Sequence, residues 1–156
     1  MKKLILALAF MLVNPVVHAA GEETGTPEVM QADEMLSMVR SFIRASGEVS
    51  QRGMAAVEDV MALMHEDMRY IHLEYGADFD KAAMREGFER RIARAATRGS
   101  QVTIQNHITG KNIVILETSG TYDRKVDDGW QPRSYDGHVT TYEFKDGKIW
   151  RVREYW

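Results

Sequence analysis

The sequence predicts an α+β domain in which helices in the N-terminal half pack on one face of a curved antiparallel sheet. Three observations carry that expectation. Apolar residues recur at helical spacing up to about Gly99, after which alternating runs rich in β-branched and aromatic residues take over. Helices first and a run of strands afterwards is the order of an α+β domain, not of alternating βα units. The absence of cysteine leaves stability to a packed core without a disulfide framework.

The chain opens with "MKKLILALAFMLVNPVVHAA", where Lys2 and Lys3 precede an apolar run from Leu4 to Val17 and then small residues. This is the pattern of an export signal, with cleavage expected after Ala19 and the periplasm or the exterior as destination. The apolar run is shorter than the roughly 20 residues of a spanning helix. No cysteine follows to take a lipid, so no stable membrane anchor is expected. Residues 20–27 read as a polar linker and 28–156 as one domain, long enough to bury roughly two-thirds of its unfolded surface. Without the signal, 18 Lys and Arg face 23 Asp and Glu, a formal charge of about −5 that argues against a nucleic-acid partner.

Thr26, Pro27 and Glu28 read as a helix start: a hydroxyl cap, a proline whose missing N–H costs nothing there, and an acid at the positive end of the dipole. Met35, Leu36, Val39, Phe42 and Ile43 then form one apolar stripe, expected to stop at Gly47. A second helix is expected from about Ser50, with Val57, Val60, Met61 and Met64 inward. The methionines of both helices read as adaptable core filler. "MRYIHLEYG" reads as a strand. "DFDKAAMREGFERRIARAATRG" returns to helix, with Met84, Phe88, Ile92 and Ala95 inward and Gly99 as its stop. Its arginines, Arg85, Arg90, Arg91, Arg94 and Arg98, interleave with Glu86 and Glu89, the signature of a solvated, ion-paired face.

Four strands follow, at 101–108, 112–122, 134–144 and 148–156, with "KVDDGWQP" as a longer loop before the third. The last hairpin, "YEFKDGKIWRVREYW", has two registers. A two-residue Asp-Gly loop pairs Phe144 with Ile149; a three-residue loop with Gly147 in a bulge pairs Phe144 with Lys148. One residue of slip moves a whole strand to the other face. The three-residue register keeps Arg151 and Arg153 away from Tyr142 and Phe144, which favours it, because a buried unpaired charge costs more than an apolar side chain gains. It puts His138, Thr140, Tyr142, Phe144, Trp150, Val152, Glu154 and Trp156 on the inner face and makes His138 and Glu154 direct neighbours. That pair reads either as a catalytic arrangement or as a satisfied polar contact. His107 is expected to point to solvent, opposite Val102, Ile104 and Ile108. His65 reads as a turn residue or a ligand.

The order helix, helix, strand, helix and four strands, with "MHEDMRYIHLEYG" and "YEFKDGKIWRVREYW", resembles the SnoaL-like branch of the nuclear transport factor 2-like superfamily over nearly the whole of 28–156. The resemblance implies a cone, a curved sheet wrapped by three helices in a cystatin-like α+β roll. It also implies a hydrophobic pocket open at one end and a homodimer. Members include polyketide cyclases, ketosteroid isomerases, epoxide hydrolases and dehydratases. Against the isomerase branch, His72 falls near the carboxylate base, Thr140 near the second acid and Trp156 on a pocket tryptophan. Phe42 stands where a tyrosine donates to the oxyanion, which argues against steroid isomerisation.

The candidate catalytic residues are therefore His138 as general base, Glu154 orienting it and His72 facing them. Tyr70, Thr140, Tyr142, Phe42, Trp150 and Trp156 are the candidate contacts to a small apolar or ring-containing molecule. No cofactor is implied, and no short ligand spacing supports a metal on His72, His138 and Glu154. Three functions stand side by side: an acid–base enzyme of cyclase, isomerase or dehydratase type, a non-catalytic periplasmic binding module, and a dimeric accessory domain using the outer face with Glu143, Arg151 and Arg153.

Overall fold

Met35, Val39, Phe42, Ala45 and Val49 fall three or four residues apart and form one buried stripe along α1, Ala32–Arg52. The computed structural model describes residues 29–127 and 129–156. The expected export signal over 1–19, the linker over 20–27 and the helix start at Thr26, Pro27 and Glu28 lie outside them. α1 begins at Ala32 and runs through Gly47, where a stop was expected. A glycine inside a helix costs roughly 0.5–1 kcal/mol. Gly47 faces strand β3, Thr97–Gly110, where a Cβ would meet Ser100 Oγ at an ordinary contact distance of 3.5 Å. The helix breaks instead at Gly53, whose φ of 62° and ψ of −142° suit glycine almost alone. Arg52 spans the break, bonding Glu48 at 2.8 Å and Asp59 at 2.7 Å.

Helix α2, Met54–Leu63, buries Ala56, Val57, Val60 and Met61 and passes directly into β1, Met64–His72. The strand thus takes in the His65-Glu66-Asp67 stretch. A short edge strand, β2, Ala77–Asp80, occupies what reads in sequence as the first turn of the third helix. α3, Lys81–Arg94, starts only when the Asp80 carboxylate accepts the Ala83 N–H at 2.8 Å. It ends at Ala95, in the left-handed region at φ 44°, and not at Gly99, which lies at a bulge of β3. Phe88 is buried and Met84 and Ile92 pack on the core, while Ala95 is exposed.

β4, Ile113–Val126, β5, Gly129–Lys145, and β6, Lys148–Glu154, complete a six-stranded sheet in the order β2-β1-β6-β5-β4-β3. Every pairing is antiparallel except β1 with β6, so the sheet is mixed and open at both ends. The "KVDDGWQP" segment is a tight turn of a long hairpin, with Val126 paired to Gly129 and Asp127 at φ 50°. A second bulge in β3, between Ile104 and Asn106, breaks the alternation. Val102 and Ile104 keep partial burial, but Ile108 is 62% exposed and pairs with Ile115; His107 is exposed. Among the described residues no helix is long and apolar enough to cross a membrane.

The last hairpin corrects the chosen register. Asp146 and Gly147, at φ 51° and 71°, form a two-residue turn that pairs Phe144 with Ile149. A bulge at Trp150 follows at once, and beyond it Tyr142 pairs with Val152 and Thr140 with Glu154. Turn and bulge together shift the strand by two residues from the three-residue reading, an even number. His138, Thr140, Tyr142, Val152 and Glu154 therefore share a face as expected, but Thr140, not His138, stands opposite Glu154. Ile149 joins the core, and Trp150 leaves the face and stacks on the Arg151 guanidinium at 4.0 Å.

Val39, Val49, Val57 and Val60 from the helices meet Met64, Met68, Val114, Leu116, Ile149 and Val152 from the sheet, all fully buried. Burying each large apolar side chain is worth about 1.5–3 kcal/mol. This core fills the closed end of the curved sheet. The other end, under α1 and α3, is left open.

Candidate functional site

At the open end lies a cavity of about 410 Å³ between α1, α3 and the inner face of β1, β3, β4, β5 and β6. Its wall on the helix side is Phe42, Ile43, Met84, Phe88 and Arg91. Its wall on the sheet side is Tyr70, Thr118, Tyr135, His138, Thr140, Tyr142, Glu154 and Trp156.

The parallel pairing of β1 with β6 sets the centre. His72 lies opposite Glu154 and Tyr70 opposite Val152, so these two inward side chains of β1 flank one carboxylate. The Tyr70 hydroxyl donates to Glu154 Oε1, and His72 Nε2 stands 3.6 Å from Oε2. Glu154 is largely buried, and burial raises its pKa; the Tyr70 hydrogen bond and the His72 charge oppose that rise. Tyr70 is itself pushed well up, by burial and then by the neighbouring carboxylate, and so stays a donor.

His72 is only 6% exposed and does not line the cavity. It sits behind Glu154, its ring 4.2 Å from that of Tyr75 and edge-on to Trp156 at 4.6 Å. Neither ring nitrogen has a hydrogen-bond partner among the described residues. His138 lies in the cavity wall, stacked between Trp156 at 4.0 Å and Tyr135 at 4.2 Å. Burial and the nearby His72 lower its pKa, which favours the neutral ring. Glu154 is thus engaged by Tyr70 and His72, and the expected His138–Glu154 contact is not made.

Tyr142 meets Phe42 edge to face at 5.9 Å, and no partner claims its hydroxyl among the described residues. Burial, with a lesser push from Glu154, raises its pKa far above the usual phenol value, so it remains protonated. Phe42, Tyr70, Thr140, Tyr142 and Trp156 all line the cavity; Trp150 does not. His65, outside the site, ties β1 to the last turn through Asp146 Oδ2 at 3.3 Å.

The sequence reading placed neither Tyr135 nor Arg91 in the cavity wall. Tyr135 faces inward because Gly137, at φ 67°, sits in a bulge: Thr118 pairs with His138 but Gly120 with Tyr135. That extra residue brings two side chains three positions apart onto one face. Gly120 makes room for it, since a Cβ there would lie 2.6 Å from the Tyr135 ring. The "YDGH" stretch, a turn-type dipeptide inside an alternating run, is the signal that marks such a bulge. Arg91 was grouped with the solvated arginines of α3, yet it lines the cavity and donates to the Ser46 carbonyl of α1 at 3.1 Å.

A conical sheet with helices across one face and a cavity at its open end defines the nuclear transport factor 2-like class. Solved structures share it. A SnoaL-like polyketide cyclase from Shewanella denitrificans OS-217 superposes with a TM-score of 0.65 at 9% identity, over 80% of this chain and 90% of that one. An LEH-like epoxide hydrolase from M. tuberculosis gives 0.58 at 16% identity, over 79% and 82%. A nuclear transport factor 2-like protein from Anabaena variabilis ATCC 29413 gives 0.61 at 15%, over 82% and 92%. No curated protein matches the chain in sequence. The SnoaL-like domain model matches residues 39–152, and the chain belongs to that family.

Proposed function

We propose that the cavity binds a small ring-containing molecule and moves a proton on it, chemistry of the cyclase, isomerase or dehydratase type. The observation that carries this reading is the buried Glu154, held between Tyr70 and His72 and open to an aromatic-lined cavity that also holds the unclaimed Tyr142 hydroxyl. A carboxylate whose pKa burial raises is a stronger base than an ordinary one. Glu154 takes a proton from the carbon next to a carbonyl. The C–H electron pair becomes the double bond of an enolate, whose oxygen accepts a hydrogen bond from Tyr142. His72 positions Glu154, and neutral His138 is a second acceptor on the wall. A volume of about 410 Å³ is within the range of small-molecule pockets. The polyketide cyclase and the epoxide hydrolase among the structural neighbours fit this reading.

The test is a thermal-shift screen of ring-bearing ketones, followed by NMR detection of solvent deuterium entering the bound ketone. Exchange that disappears in Glu154→Gln supports the proposal; unchanged exchange removes Glu154 from it. Binding without exchange would make the domain a binding module. Failure of every compound to bind the folded protein would remove the pocket. The proposal extends to export through residues 1–19 and to a homodimer. Their support is the charge-then-apolar order of the first residues and the exposed Ile108, Val139 and Tyr155.

A further inference from the structure

Seven arginines have a carboxylate within 4 Å: Arg52, Arg69, Arg85, Arg90, Arg98, Arg151 and Arg153. Arg91 has none among the described residues, although it lines the cavity and is partly buried. Its one hydrogen bond, to the Ser46 carbonyl, is neutral. Taking a guanidinium out of water without a countercharge is unfavourable, and burial lowers the Arg91 pKa accordingly. The cavity's own carboxylate does not answer it, because Glu154 is engaged by Tyr70 and His72 on the sheet side.

We propose, resting on the binding role given to the cavity above, that Arg91 anchors a carboxylate on the bound molecule, which is therefore a ring-bearing carboxylic acid. The anchor lies on the α1–α3 side of the cavity and the proton-transfer group on the sheet side, with Tyr70 between them: its hydroxyl donates to Glu154 and also feels the Arg91 charge. A guanidinium fork matches a carboxylate with two parallel N–H donors. Arg91 also borders a neighbouring cleft with Arg90, Arg94 and Arg124. Arg94 and Arg124 form no ion pair among the described residues. On a protein whose formal charge is −3, this local positive field draws anions towards Arg91.

The experiment is calorimetric titration of the full protein with 2-naphthoate and with 2-naphthamide, which share a ring system and differ in charge. Wild type is expected to bind the naphthoate at least tenfold more tightly. Arg91→Gln, which keeps a donor for the Ser46 carbonyl, should erase the preference by weakening only the naphthoate. Arg91→Lys should retain part of it. Melting curves of both variants check that they are folded. Equal binding of the two probes by wild type, or a preference that survives in folded Arg91→Gln, overturns the anchor and leaves the pocket standing. Failure of wild type to bind either probe overturns the pocket and the anchor together.

Discussion

Burial raises the Glu154 pKa, and Tyr70 and His72 offset that rise only in part. Between the ordinary value of 4.5 and the raised folded value, the folded chain keeps a proton that the unfolded chain has released, so stability falls as pH rises. Glu154→Gln should therefore melt higher than wild type at neutral pH, with the gap closing as pH drops below 4.5. A gap that does not change with pH would contradict this account. His138 has the opposite sign: its folded pKa lies below 6.5, so stability is lost as pH falls from 6.5 through the lower folded value. His138→Phe keeps a ring between Trp156 and Tyr135 and should weaken that acid-side loss in melts from pH 7 to 5. The inward side of Tyr142, Glu154 and Trp156 was legible because alternation survives an even shift. Their neighbours were not, because those depend on a bulge and on a parallel partner from a distant segment. Arg91 was hidden because on paper it is one more arginine among acids.

Two glycines govern how the elements meet. Gly53 holds the α1–α2 break in a conformation closed to other residues, and Gly53→Ala should cost about 1–3 kcal/mol in chemical denaturation. Gly120 gives the Tyr135 ring its place, so Gly120→Ala forces overpacking of about 1–3 kcal/mol. That substitution should also unstack Tyr135 from His138, which the aromatic shifts of the His138 ring in NMR would report. Unchanged shifts would show that the bulge tolerates a side chain. The helices and long strands were readable from periodicity alone. β2 was not: "ADFD" alternates over only four residues, two of them Asp, which is disfavoured in strands, and its strand geometry comes from pairing with β1. The ends of α1 and α3 moved because the chain breaks at Gly53 and not at Gly47, and because Asp80 supplies the cap of α3.

For the whole molecule, the curved sheet leaves one end packed and the other hollow. The α+β order was legible because it is a matter of sequence, whereas the β1–β6 pairing joins strands separated by most of the domain. The proposed homodimer predicts sedimentation at twice the monomer mass and a shift to monomer in Ile108→Lys; a monomeric wild type would end it. The sheet order also leaves the 14-residue β3 as an edge with unpaired backbone groups. Its two bulges, at Gly99 and beside Asn106, divide the β3–β4 ladder into regular runs of no more than five residues. Stacked fibrils draw on regular segments of about six or seven. These irregularities therefore blunt the edge as a template for self-assembly, so straightening β3 by deleting Gly99 should hasten fibril growth measured with an amyloid dye.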